Sequence, residues 1–566
     1  MTGIHRIWRT TCRALAAAYA SVSTGRGAYS AERLVVFHAY CESAPRWRAF
    51  LLIVLSWLPT FVIVLLIDVL PLQDPRESWK ANVTLWIRAG IIAFANCGGV
   101  LLKMKKVIPS LRFTACKVPT IMTCVSIGYT SILMMLAAWW GFPIPFMFTL
   151  GRTPFGILCA SFTLIVVTTD AAQHTKLKKF FVTVSVQISM VLVYPSCNAV
   201  FLRLEGHAQL AFVLVFPVAK VMYKLILAHL ARDLGDLRPA IVSCVDFFDA
   251  LYMIKCMQTA STVWVSAGII AVDVTQNHVA LLFLHRQFHV LRDLLLRRQA
   301  PSVPGQEDIH DLVALVRSLV MNRASVPHAN NNLLSLSSIA EDEFDILRER
   351  QHHRRPSWHQ WPSNDPGKKL FLLKVIQPNR LVAPFPMVSP SLQAAKSCPL
   401  HLMRPTVIVP EIRRTSASQQ PMAEENTMLI RETLQLLHQV ERIVVVEFIE
   451  TVVPIFYAIY ITILFQLPNA RYYQDMGVLT EAKLQSVILS ILIYAALKLL
   501  TIIHLYCTLK RNFGISVFYQ LAFTLEKEWQ VYHYNFQDWT LVVFQFMLVH
   551  TGTDFSFKFE WLCEDQ

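Results

Sequence analysis

Residues 49–71 read AFLLIVLSWLPTFVIVLLIDVLP, an almost unbroken apolar run. A helix needs about 20 apolar residues to cross the hydrocarbon core of a bilayer, so this run predicts a transmembrane helix. Similar runs follow near 84–102, 119–140, 154–170, 180–202, 209–230, 262–284, 443–466 and 484–508. Backbone polar groups cannot stay unpaired in lipid, and the runs lack the alternation of barrel strands. We therefore expect an all-α, polytopic helical membrane bundle.

The composition agrees with this interpretation. Of the 566 residues, 54% are hydrophobic and 16% are charged, and the mean hydropathy is +0.43. A soluble domain carries about 25% charged residues, so the deficit indicates a surface that faces lipid. Three weaker segments at 240–257, 513–526 and 538–551 bring the expected total to about 10–12 spans in two halves.

Basic residues orient the chain. Seven arginines lie between positions 6 and 48, before the first run, and the loop after the second run is rich in lysine. The positive-inside rule then predicts a cytoplasmic N-terminus.

We expect an integral protein of the plasma membrane or the endomembrane system. The first 31 residues contain arginines and no acid, as in a mitochondrial presequence, so a mitochondrial membrane is the alternative.

The predicted organisation has four parts. A basic cytoplasmic segment at 1–48 precedes a first membrane half at 49–285, and a second membrane half occupies 441–566. Between the halves, residues 286–440 are rich in Pro, Ser, His, Asn and Arg, which predicts a polar, partly disordered cytoplasmic insert. Such an insert is a candidate binding region for a cytoplasmic protein.

Two apolar segments carry the same pattern of acids. VDFFDALY at 245–252 places Asp246 and Asp249 on one helix face, and VEFIETVV at 446–453 does the same with Glu447 and Glu450. A charge at the bilayer centre costs about 2.5–3.5 kcal/mol, so these acids are expected to face a polar interior. The alternative places them near helix ends, paired with basic residues at the headgroup level.

Pro454 lies four residues after Glu450 and lacks the amide that would bond the Glu450 carbonyl. A free carbonyl beside carboxylates resembles the interrupted-helix ion sites of transporters.

The 262–284 span and its lead-in carry a polar stripe at helical spacing. The stripe consists of Thr259, Thr262, Ser266, Asp273, Gln276 and Asn277. It predicts either a polar pathway through the bundle or hydrogen bonds that hold helices together. Lys220 and Lys498, central in their spans, are candidate counter-charges for Asp273, and Lys224 and Arg88 are further cations within spans. Sequence leaves the pairing open.

Signatures of other chemistry are missing. The twelve cysteines form no CxxC, and the chain has no GxxxxGK, HExxH or GxSxG motif. We therefore predict no enzyme activity, no catalytic residue, no cofactor and no metal site. The formal charge of +14 is concentrated beside the spans, which favours anionic lipid over nucleic acid as its partner.

Several sequence segments resemble segments found in a known protein family. They are VDFFDALYMIKCMQTAST at 245–262, ETVVPIFYAIYITILFQLPNARYYQD at 450–475, YQLAFTLEKEWQ at 519–530 and HTGTDFSFKFEW at 550–561. These blocks resemble a large family of uncharacterised multi-pass membrane proteins expanded in oomycetes. The resemblance implies a membrane protein and no particular activity.

A second likeness concerns residues 538–546, where Asp538-Trp539 precede TLVVF and Gln545-Phe546. The last span of gustatory-type chemoreceptor channels has Thr-Tyr, five apolar residues and Gln-Phe, so only the second half of that motif is similar. The likeness implies a ligand-gated cation channel of seven spans, fewer than expected here.

Three function classes fit these patterns. The first is a transporter or channel for a cation, a proton or a small polar solute. The second is a structural or scaffold membrane protein, and the third is a membrane chemoreceptor. The oligomeric state is open.

Overall fold

Long apolar helices dominate the structure, as the hydropathy of the sequence requires. The computed structural model describes residues 29–111, 113, 116–167, 171–260, 262–299, 313, 315–319, 416–474, 476–477 and 479–553. Most of the predicted N-terminal segment (1–28), the part of the predicted insert at 320–415, and the end of the last family-like block (554–561) lie outside the described residues. The chain divides into two compact units, one made of Met1–Ser325 and Glu425–Gln566 and the other of Val326–Glu424.

Nine helical segments in the described residues are long and apolar enough to cross a membrane. They are Arg46–Val69, Val83–Val107, Lys117–Trp140, Met147–Val166, Gln173–Arg203, Gly206–Leu230, Trp264–Leu295, Asn426–Gln466 and Glu481–Phe513. Each coincides with one predicted run. The prediction of an all-α, polytopic helical bundle is thereby confirmed, and the protein is a multi-pass integral membrane protein.

The α-helices have the following bounds. In chain order they are α1 Ala31–Ser43, α2 Arg46–Leu55, α3 Leu58–Val69, α4 Val83–Val107, α5 Lys117–Trp140, α6 Met147–Val166, α7 Ala171–Arg203, α8 Gly206–Phe212, α9 Val215–Leu230, α10 Arg238–Val242, α11 Cys244–Thr259, α12 Val263–Gln299, α13 Ser416–Gln466, α14 Glu481–Phe513, α15 Val517–Lys527 and α16 Trp529–Phe546. Short 3₁₀ turns cover Pro75–Glu77, Arg232–Leu237, Pro468–Tyr472 and Val549–Thr551.

The three weaker sequence segments correspond to shorter helices. Segment 240–257 becomes α10 and α11, segment 513–526 becomes α15, and segment 538–551 begins inside α16. The 16 residues of α11 span about 24 Å, less than a hydrocarbon core of about 30 Å. The total of 10–12 spans therefore stays a prediction.

Helix α11 lies in the interior of the bundle. Every residue from Cys244 to Gln258 is buried, as is most of α16. A helix that is covered on all sides packs among other helices and does not face lipid. Aromatic rings join these interior helices: Phe248 of α11 meets Trp539 of α16 edge-on at 4.9 Å, and Tyr460 of α13 stacks on Phe544 of α16 at 4.2 Å.

Helices reach into both ends of the predicted insert. Helix α12 continues to Gln299, beyond the expected boundary at 285, and α13 begins at Ser416, well before residue 441. Helix α13 also runs through Pro454 without a break. The interrupted helix suggested by that proline is therefore absent here.

The turn after α16 is held against the start of α6. The Phe146 amide donates to the Gly552 carbonyl at 3.0 Å, and His550 contacts the Gln73 carbonyl through Nε2 at 2.7 Å. Burial lowers the pKa of His550 to about 4, so the imidazole is neutral at physiological pH.

Gly552 has a φ of 59°, and a Cβ there would lie 2.2 Å from the Ile144 carbonyl oxygen. This close approach requires glycine.

We predict that Gly552→Ala lowers the free energy of unfolding by about 3 kcal/mol, because strain at a positive φ adds to the steric overlap. Gly206 is the matched control, since its φ is 54° and a Cβ there meets no atom within 4 Å. Gly206→Ala is expected to cost about 1 kcal/mol. Unfolding of both variants in mixed micelles checks the difference, and equal losses would contradict it.

Candidate functional site

The two acid pairs of the sequence meet at one lysine in the interior. Lys220 of α9 lies 2.7 Å from Glu450 of α13 and 3.0 Å from Asp249 of α11. Asp246 of α11 is 3.7 Å from the same ammonium group and 2.5 Å from Lys224, one turn further along α9. Both lysines and all three acids are buried.

A second lysine extends the contacts to two more helices. Lys498 of α14 lies 2.5 Å from Glu450, contacts Asp273 of α12 closely and is 3.9 Å from Glu447. Lys498 is 1% exposed and Asp273 is 4% exposed. Glu450 therefore bridges Lys220 and Lys498, and through them joins α9, α11, α12, α13 and α14.

These contacts define one connected group, here called the acid–lysine cluster. Its members are Asp246, Asp249, Asp273, Glu447, Glu450, Lys220, Lys224 and Lys498. With every member ionised, five carboxylates face three ammonium groups, and the formal charge is −2. All eight were predicted to be polar interior residues or counter-charges, but their assembly into one group was not foreseen.

Hydrogen bonding within the cluster is uneven. Glu450 accepts from both Lys220 and Lys498, and Asp249 accepts from the Tyr194 hydroxyl at 3.3 Å. In contrast, one oxygen each of Asp246, Asp273 and Glu447 is buried without a hydrogen bond. The first two of these oxygens lie within ion-pair distance of a lysine but lack hydrogen-bond geometry. For Glu447 the nearest such contact is the long one, at 3.9 Å.

The other residues of the predicted stripe differ in how far they are buried. Ser266 and Asn277 are buried on the same face of α12 as Asp273, whereas Gln276 is half-buried. Thr262 is exposed, and the Thr259 hydroxyl donates to the Lys255 carbonyl of its own helix. Only Asp273 of the stripe is in an ion pair of the cluster.

Arg88 lies in a separate buried site that the sequence analysis missed. Its guanidinium is 3.5 Å from Asp68 of α3, which also accepts from Tyr460, Tyr473 and Gln545 at 2.7–2.8 Å. Asp68 is 0% exposed. The signal in the sequence was a single acid near the end of an otherwise apolar run.

Asn469 completes this second site. Its amide nitrogen donates to the carbonyls of Asp68 and Leu70 at 2.6 and 2.8 Å, and Arg88 donates to the same two carbonyls. These carbonyls end α3, so they have no partners within the helix. The Asp68 site therefore locks the end of α3 to the turn after α13.

Two further ion-pair groups lie outside the cluster. Lys103 of α4 contacts Asp538 of α16 at 2.6 Å, so the acid of the chemoreceptor-like segment is neutralised by a neighbouring helix. At one end of the bundle, Arg33 of α1 pairs with Glu441 at 2.7 Å and with Glu528 at 3.5 Å. Each group joins elements distant in sequence.

Among the described residues, no three or more His, Cys, Asp or Glu side chains are arranged to hold a metal ion. The carboxylates of the cluster are thus spread around lysines and do not converge on one point. Nitrogen atoms of lysine occupy the positions that a bound cation would take.

No known protein family, curated protein or solved structure matches the chain.

We predict opposite effects for the loss of a cation and of an acid from the cluster. Lys498→Met leaves Asp273 and Glu450 without their shared ammonium group and is expected to lower stability by about 3–5 kcal/mol. Glu447→Gln removes one charge from an acid-rich group and should change stability by less than about 1 kcal/mol or increase it. Unfolding of the purified proteins in mixed micelles measures both. Similar losses of stability in the two variants would show that the cluster does not carry an uncompensated negative charge.

At the second site, Asp68→Asn should lower stability by about 3 kcal/mol, because Arg88 stays buried without its counter-charge. Asp74→Asn is the control, since Asp74 is exposed and asparagine also caps the turn that follows. The same unfolding assay should find less than about 0.5 kcal/mol for the control. If Asp68→Asn were equally mild, the Asp68 site would not be a structural lock.

Proposed function

We propose that the protein moves protons across its membrane and that the acid–lysine cluster is the proton-binding site. The observation that carries this proposal is the excess of carboxylates: five buried acids contact three buried lysines. Transport of a solute coupled to these protons belongs to the same proposal.

The physical argument concerns the cost of uncompensated charge. In a low-dielectric interior, a net negative charge costs several kcal/mol for each carboxylate that lacks a cation. Binding a proton removes this cost directly, because a neutral carboxyl group needs only hydrogen-bond partners. The cluster is thus expected to hold one or two protons, whose release depends on an approaching charge or on water.

Glu447 is the member most suited to exchange a proton. Its contact with Lys498 is the longest of the three that this lysine makes, and one of its oxygens has no hydrogen bond. Glu450 is the least suited, since two ammonium groups donate to it and stabilise its ionised form. We therefore assign exchange to Glu447 and charge anchoring to Glu450.

Helix α13 supplies polar groups on both sides of the cluster. Glu441, toward one end of the helix, is paired with Arg33 and accepts from the Tyr29 hydroxyl. Toward the other end, the Tyr457 hydroxyl donates to Gln258, and the Tyr460 hydroxyl donates to Asp68. Tyrosine, glutamine and carboxyl groups can pass protons by hydrogen bonds, so Tyr457 with Gln258 is a candidate route on one side of the cluster, whereas Glu441, nine residues before Glu450, projects from the opposite face of α13.

A structural lock is the competing interpretation, since each of Lys220 and Lys498 holds several acids. The Asp68 site illustrates what a lock looks like: one acid, one cation, and hydrogen bonds to both carboxylate oxygens. The acid–lysine cluster differs from it by its surplus of acids. That difference favours a site with variable protonation.

Proton flux in liposomes tests the proposal. The purified protein is reconstituted with a pH-sensitive dye inside and a potential clamped by potassium and valinomycin. We expect flux well above protein-free vesicles, and a loss of at least tenfold in Glu447→Gln, because glutamine carries no exchangeable acid proton. Asp293→Asn is the control, since Asp293 is an exposed acid on the same helix as Asp273.

A wild-type protein that carries no protons would contradict the proposal, whether or not it carries sodium or potassium. If Glu450→Gln and Asp273→Asn then also unfold more easily, the cluster is a structural lock.

A further inference from the structure

Helices α12 and α14 run side by side in the same direction. Asp273 contacts Lys498, and fifteen residues further along each helix Phe288 packs against Phe513 at 5.1 Å between ring centroids. The two helices are therefore parallel and in register beyond the cluster. A groove lies between them on the outside of the bundle.

Histidines line this groove together with apolar side chains. The lining comprises His278, His285 and His504, with Leu281, Leu284 and Phe288 among the apolar residues. The three histidines are exposed, and so are apolar neighbours such as Leu282 and Ile503. Exposed leucine and isoleucine are ordinary on a lipid-facing surface, whereas an imidazole there needs a hydrogen-bond partner.

Basic side chains surround the groove near the C-terminal ends of α12 and α14. Lys510 lies twelve residues after Lys498, as His285 lies twelve after Asp273, so the register puts Lys510 level with His285. Arg286, Arg292 and Arg511 are exposed in the same region, and Asp293 offsets part of this charge. His289 lies one turn beyond His285, with 3.0 Å between their Nε2 atoms.

We propose that this groove binds an anionic glycerophospholipid. Its phosphate would accept hydrogen bonds from His285 and Lys510, which lie level with each other, and its acyl chain would extend toward the bilayer centre over Leu284 and Leu281. Basic pockets between membrane helices bind anionic headgroups in this way, and Lys510 supplies the charge. The positive-inside prediction places this end in the cytoplasmic leaflet, which is rich in anionic lipid.

Charge argues against a second copy of the chain as the occupant. In a two-fold symmetric interface the groove of one copy would face the same groove of the other. Lys510 and the three arginines would then meet like charges, which is unfavourable. A lipid phosphate complements them.

Native mass spectrometry of the full-length protein in detergent tests this site with two probes, dioleoyl phosphatidylserine and dioleoyl phosphatidylcholine. We expect phosphatidylserine to bind at least fivefold more tightly. His285→Ala with Lys510→Ala should reduce its affinity at least fivefold, whereas phosphatidylcholine, whose headgroup has no net charge, should lose less affinity. His207→Ala is the matched control, since His207 is an exposed histidine on α8.

Equal binding of the two lipids, or an unchanged affinity in the double variant, would overturn the proposal. So would a dimer of the protein that the double variant dissociates, because the groove would then be an interface between copies. Proton flux is a separate readout, so this result stands independently of the function of the cluster.

Discussion

The interior of this bundle depends on Glu450, which accepts hydrogen bonds from two lysines on different helices, Lys220 of α9 at 2.7 Å and Lys498 of α14 at 2.5 Å. In a medium of low dielectric an unpaired charge is costly, so each lysine needs acids and each acid needs a lysine. This mutual requirement draws α11 and α12 to the same point, because they carry the remaining aspartates. Electrostatic pairing thus fixes which helices are neighbours where lipid provides no hydrophobic force between them.

The Asp68 site and the cluster solve the problem of buried charge in different ways. At Asp68, one cation, two tyrosine hydroxyls and an amide satisfy a single carboxylate, and the group also closes the end of α3. Both carboxylate oxygens of Asp68 accept hydrogen bonds, so a proton added there would break a contact. In the cluster, acids outnumber lysines, and the Glu447 oxygen that has no hydrogen bond is 3.9 Å from the nearest lysine, so a proton can be added there without breaking a close pair. The first arrangement is rigid, while the second tolerates a variable charge.

The fold was predictable because hydropathy acts locally: each of the nine apolar runs became a helical segment that is long enough to span, two of them built from two successive helices. The acids at 246, 249, 273, 447 and 450 were also recognisable, since charges in apolar helices are conspicuous. Their convergence was not, because spacing within one helix carries no information about which helix lies beside it. Asp68 escaped notice for a related reason: a single acid near the end of a run is typical of the headgroup region, and only the packing of α13 and α16 shows that it is buried.

The lysines decide what the cluster can do. They are buried and each contacts carboxylates, so they act as fixed positive charges that hold Glu450 ionised and set the field around the other acids. A proton that arrives on Glu447 then reduces the formal charge of the group from −2 to −1 without disturbing the contacts of Glu450. Under the proposed function, assembly and proton exchange belong to different carboxylates, one turn apart on the same helix. A chain that places two acids at this spacing in a membrane helix can use one to build the bundle and keep the other for chemistry.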